Sequence, residues 1–103
     1  MRIKPVPEYL SREDTIRSIL NTFQDYQSID ISEVVMIGRI KEIKASYLRY
    51  RLQFHKSTED PDVIKSNFVE QWDRIPAQLD KYVEGFGVKK SELEWLYERL
   101  GQI

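Results

Sequence analysis

The sequence predicts an all-α fold, a compact bundle of four helices with an extended N-terminal arm and a kinked third helix. Three observations carry that expectation. Apolar residues recur at helical spacing through most of the 103-residue chain. Capping residues and prolines stand where those runs begin. The connections are two to six residues long, the usual length between neighbouring helices of a bundle.

Residues 1–10 form the arm and residues 11–103 a single helical domain, since a chain of this length has one core to fill. Pro5 and Pro7 fix φ and lack an N–H, which keeps the arm extended, and Tyr9 and Leu10 anchor it. Ser11 caps the first helix, with Glu13 and Asp14 at the positive end of its dipole. Ile16, Ile19, Leu20, Phe23 and Tyr26 then mark one face of a helix over about 12–27.

The segment 30–57 carries two patterns. As a helix, Asp30 caps it, Glu33 completes a capping box, and Met36, Ile40, Ile43, Tyr47, Tyr50 and Phe54 form a seam spaced four, three, four, three, four. As strands, Leu48, Tyr50, Leu52 and Phe54 alternate with polar residues, and Val34, Val35 and Ile37 favour extended backbone. That reading gives the alternative fold, α+β with a β-hairpin over 34–55 on three helices. The turn chemistry favours the helix. A hairpin has to reverse near Lys44-Ala45-Ser46, and none of these residues accepts positive φ cheaply.

Asp60-Pro61 opens the third helix as N-cap and first helical proline. Its seam runs Ile64, Phe68, Trp72, Ile75, Leu79 and on to Phe86, with Pro76 interrupting the hydrogen bonding. The expectation is a kink there, or a stop near Arg74 and a restart at Pro76. Gly85 and Gly87 end the run. Ser91 caps the last helix with Glu94 as box partner, Leu93, Leu96, Tyr97 and Leu100 form its stripe, and Gly101 stops it.

Charge is unevenly spread. Residues 34–57 hold Arg39, Lys41, Lys44, Arg49, Arg51 and Lys56 against one acid, Glu42, a net of +5. Residues 1–33 net −2 and residues 58–103 net −4, so the total of −1 hides a dipolar molecule. The chain has no cysteine, which excludes disulfides and thiolate–zinc sites. No apolar run reaches the roughly 20 residues that span a bilayer, and residues 1–7 lack an apolar signal core. These features make a cytoplasmic protein with no membrane partner the expectation.

No motif for catalysis, metal or cofactor stands out. The one histidine, His55, lies among cations with no orienting acid assigned to it. Carboxylate pairs such as Glu94 with Glu98, or Asp80 with Glu84, are ordinary on charged helix faces. The four glycines form no phosphate loop. The expectation is a non-enzyme with no cofactor.

The basic segment is the candidate nucleic-acid surface, with Arg39, Lys41, Lys44, Arg49, Arg51 and Lys56 for phosphates and Tyr47 and Tyr50 for stacking. Against this, ten acids in 58–103 are ample to pair with these cations, and the pI of about 5.9 is low for a nucleic-acid binder. Residues 79–96 resemble the helix–turn–helix element of many regulators: Gly87 follows Val83 by four and precedes Val88, Leu93 and Leu96. The small residue usual at the Val83 position is missing, and Glu92, Glu94 and Glu98 on the would-be reading helix repel phosphate.

Trp95 and Tyr97 are candidate partner-binding residues, because Trp95 falls on the polar side of its helix and exposed aromatics anchor interfaces. The function expected is therefore a small, non-catalytic helical interaction or regulatory module. It binds another protein or itself, with a symmetric dimer favoured by self-complementary charge. The alternative is a nucleic-acid-binding regulator using the basic segment 39–56 and the element at 79–96.

Overall fold

A computed structural model describes residues 6–54 and 60–103. It contains α1 (Arg12–Gln27), α2 (Glu33–Phe54), α3 (Pro61–Asp73), α4 (Ile75–Phe86) and α5 (Lys90–Gly101), with no strand among the described residues. The all-α class holds, and the alternative hairpin over 34–55 does not form, since one helix runs without a break from Glu33 to Phe54. His55 and Lys56 lie outside the described residues.

Among the described residues there are five helices where four are expected, because the long third segment divides at Arg74. Pro76 has no N–H to return to Trp72, so the helical ladder is cut there. Arg74 closes α3 by donating its N–H to the Gln71 carbonyl at 3.1 Å, and α4 restarts with Pro76 in its first turn. The apolar seam survives the break. Ile64, Phe68 and Trp72 of α3 and Ile75 and Leu79 of α4 are all buried.

α1 and α2 form an antiparallel hairpin. At one end, the Leu10 N–H donates to the Ser46 carbonyl at 3.4 Å and the Ser46 hydroxyl donates to the Pro7 carbonyl at 2.9 Å. Leu10 is buried at 1% exposure and Val6 packs against the core, while Tyr9 stays exposed. Midway, Ile16, Ile19, Leu20 and Phe23 of α1 face Met36, Ile40 and Ile43 of α2 in the shared core. Thr15 and Thr22 are buried polar residues, and each hydroxyl is satisfied by a carbonyl one turn back, Ser11 and Ser18.

Two caps differ from expectation. Ser32, not Asp30, caps α2, accepting the Val35 N–H at 3.3 Å. Lys89, not Ser91, precedes α5, where the Glu92 carboxylate accepts the Lys89 N–H at 3.1 Å. Ser11 and Asp60 cap α1 and α3 as the sequence predicts.

The turn out of α1 is a Schellman closure. The Ile29 N–H donates to the Tyr26 carbonyl and the Asp30 N–H to the Asp25 carbonyl, at 3.1 and 3.0 Å. That motif requires left-handed backbone at its centre. Gly87 supplies it after α4 at φ 68°, whereas Ile29 supplies it here at φ 67°. A β-branched residue in this region is strained by about 1–2 kcal/mol. Ile29 nevertheless has its side chain in water, at 87% exposure.

Candidate functional site

The cations of the basic segment have different fates along α2. Arg39 is buried, with its side chain 6% exposed, and bonds Asp25 of α1 through Nη1 at 2.7 Å. Its Nε and Nη2 have no partner among the described residues. Half-buried Lys44 donates to the Ile103 main-chain oxygen at 3.2 Å and sits 5.2 Å from the centre of the Trp72 ring. Arg49 donates to the Glu8 carbonyl at 3.1 Å and to the Ser46 hydroxyl at 2.9 Å, tying the arm to α2. Lys41 is exposed. None of the ion pairs among the described residues joins these cations to the acids of 58–103. Main-chain oxygens, an aromatic ring and one acid of α1 engage three of them instead.

Arg51 stands apart. It lines a cleft of about 540 Å³ where the start of α1 meets the C-terminal end of α2 and the α3–α4 pair. α2 contributes Tyr47, Tyr50 and Arg51, spaced i, i+3 and i+4, so one helical face looks inward. α4 contributes Gln78, Lys81 and Tyr82 at the same spacing. Arg12 enters from the first turn of α1 beside Glu13, the one acid in the lining.

The inner wall is fixed by hydrogen bonds. Buried Tyr47 donates its hydroxyl to Gln71 Oε1 at 3.3 Å, and Arg12 Nη2 reaches the same oxygen at 3.5 Å. Tyr47 also packs on Phe68 and Trp72, with ring centres 5.6 and 6.3 Å away, which ties the site to the core. Arg12, Arg51 and Lys81 take part in none of the ion pairs among the described residues. Three cations against the single acid Glu13 give the cleft a net positive charge, which raises the local concentration of anions.

Trp95 and Tyr97 are both half-buried and engaged by their own chain. Trp95 stacks on Tyr26 at 5.1 Å and 13°, lies 5.1 Å from Phe23, and carries the Arg99 guanidinium 4.8 Å from its ring centre. The Tyr97 oxygen lies 2.7 Å from the Pro76 carbonyl and 2.8 Å from Asp80 Oδ1, so its single proton is shared between two acceptors that pin α5 to α4. Burial, with help from Asp80, pushes the Tyr97 phenol well above its ordinary range. On α5, which would be the reading helix of the helix–turn–helix-like element, Leu93, Leu96 and Leu100 are buried and Glu94 and Glu98 are exposed.

Among the described residues, no three His, Asp or Glu side chains converge as metal ligands, and no helix is long and apolar enough to cross a membrane. The cleft presents guanidinium and ammonium groups that can bind carboxylates or other anions and tyrosine faces that can pack on apolar atoms. No known family model matches this chain, and no curated protein or solved structure is similar to it.

Reading the sequence alone found Arg51, Tyr47 and Tyr50 but missed Arg12, Gln78, Lys81 and Tyr82. Lys81 and Arg12 are lone cations within acidic segments, so no local charge run marks them. The one signal is the i, i+3, i+4 grouping of Gln78, Lys81 and Tyr82 on the face of α4 next to Leu79.

Proposed function

We propose that this chain is a non-catalytic binding module whose ligand site is the cleft between α1, α2 and the α3–α4 pair, and whose partner is an acidic protein segment carrying an aliphatic side chain. One observation carries the reading: Arg12, Arg51 and Lys81 converge on one concave surface with a single acid and three tyrosines. Its volume of about 540 Å³ falls within the 300–1,000 Å³ usual for ligand sites. Tyrosine and arginine are, with tryptophan, enriched where protein partners bind, because they combine large contact area with hydrogen-bonding groups. The nucleic-acid alternative has less support, since Arg39, Lys44 and Arg49 of its surface are engaged within the chain.

The test is titration with a synthetic acidic peptide holding one central leucine, and separately with a single-stranded oligonucleotide of equal charge. The expected result is peptide binding that weakens with salt and is lost in Arg51→Glu and Lys81→Glu. Tighter binding of the oligonucleotide would transfer the cleft to the nucleic-acid reading. No binding of either at low ionic strength would end the proposal.

A further inference from the structure

We infer that the acidic segment taken by the cleft is the α1–α2 turn of a second copy of this chain, so that molecules join head to tail. This rests on the cleft being a binding site, as proposed above. The hairpin geometry separates two unlike surfaces. Because α1 and α2 run antiparallel, the cleft with Arg12 and Arg51 lies at one end of the hairpin and residues 28–32 lie at the other. Sixteen helical residues put these ends about 24 Å apart.

The far end has the chemistry the cleft asks for. Residues 25–33 hold Asp25, Asp30 and Glu33 and no base. Arg39 and Arg99 engage Asp25 and Glu33, while Asp30 takes part in no ion pair among the described residues. At the tip, Ile29 and Val34 project into solvent at 87% and 81% exposure, the two most exposed large apolar residues described. Ile29 is also the one residue other than glycine with positive φ among those described. Any side chain lacking Cβ branching would be less strained there, and glycine would be unstrained. A strained backbone that holds an aliphatic side chain away from the core gains nothing inside this molecule. It gains area if Ile29 enters a tyrosine-walled cleft ringed by cations.

The same arrangement disfavours a symmetric dimer. An isologous contact would set turn against turn, acid facing acid, or cleft against cleft, cation facing cation. Opposite ends make the contact heterologous, and such contacts build chains or rings.

The test is sedimentation of the full chain across concentration and salt. At about 0.01 M salt, where screening extends about 30 Å, the average mass should rise steadily with concentration; at about 1 M, with about 3 Å screening, it should fall to the monomer. Two variants then isolate the halves. Ile29→Gly with Asp30→Lys removes the turn, and Arg51→Glu with Lys81→Glu removes the cleft. Each alone should stay monomeric with an unaltered or higher Tm, and their mixture should form a one-to-one dimer that grows no further. A wild type that stays monomeric at low salt, or a mixture that fails to pair, overturns the inference. So does a discrete dimer that survives the turn variant. A monomeric wild type that still binds the leucine-bearing acidic peptide leaves the cleft reading standing and removes only the second copy; loss of both removes both.

Discussion

The two halves of α2 carry the same apolar spacing and the same kind of charge, yet one half is core and the other is surface. From Met36 to Tyr47 the seam is buried to 0–1% exposure, and Arg39 is buried with it. Beyond Tyr47 the seam opens: Tyr50 is half-buried and Phe54 is 67% exposed, though the two rings still pack at 4.7 Å. The difference comes from the partner. α1 has 16 residues and α2 has 22, an overhang of about 9 Å at 1.5 Å per residue. The arm bonds at Ser46 and Arg49 mark where α1 begins alongside α2. Past that point no helix of the hairpin covers α2, and Arg51 there faces a cleft. A heptad seam specifies which side of a helix is apolar; the length of its neighbour decides how much of that side is buried.

The sharpest way to break this comparison is to truncate one ring in each half. Tyr47→Ala should destabilise the fold by about 3–5 kcal/mol, treating buried tyrosine like buried phenylalanine. Phe54→Ala should shift it by no more than about 0.5 kcal/mol. Urea denaturation of both variants reads this directly, and equal losses would mean that α2 is covered along its full length.

The buried ion pair sharpens the same contrast. Asp25→Ala strands the Arg39 guanidinium, whose side chain is 6% exposed, and should cost about 3 kcal/mol, whereas Arg39→Met should cost less, because the Asp25 side chain it leaves unpaired is 26% exposed and the two unpartnered buried nitrogens go with the guanidinium. A large loss in Arg39→Met would show that those groups are satisfied in solution.

A smaller effect is expected at the α4–α5 contact. Tyr97→Phe removes a hydroxyl with two acceptors and should cost about 1 kcal/mol near neutral pH. The Tyr97 phenol is raised above its ordinary value, so the folded state holds that proton more tightly than the unfolded state. Its contribution is complete below about pH 10 and is lost as pH rises beyond it. Thermal melts across the alkaline range should therefore fall less steeply for Tyr97→Phe than for wild type. Smallest of all, Arg51→Glu should leave stability within about 0.5 kcal/mol while changing what binds.

Much of this fold is legible in the residues. The bounds of α1 follow from the Ser11 cap and the Ile16–Tyr26 stripe, and α3 follows from Asp60-Pro61, because these signals are local and chemically specific. The choice of helix over hairpin at 34–55 follows from the lack of a turn residue near Lys44–Ser46. Capping is misplaced at α2 and α5 because complete box patterns, Asp30 with Glu33 and Ser91 with Glu94, lie two residues from the caps the fold uses, Ser32 and Lys89, which each supply only half of such a box. The candidate site was half legible. Tyr47, Tyr50 and Arg51 belong to one helix, but Arg12 and Lys81 reach them from segments 39 and 30 residues away from Arg51. Only tertiary packing joins those three cations. The fate of Arg39 was equally hidden, since its acid lies on α1 and not in the acid-rich 58–103.

The measurement that tests the central claim most directly is an amide-resolved NMR titration of the full chain with the leucine-bearing acidic peptide. The account predicts shifts at Arg12, Tyr50, Arg51, Gln78, Lys81 and Tyr82 and none along Arg39–Lys44. Shifts centred on Arg39–Lys44, with the cleft amides unmoved, would contradict it.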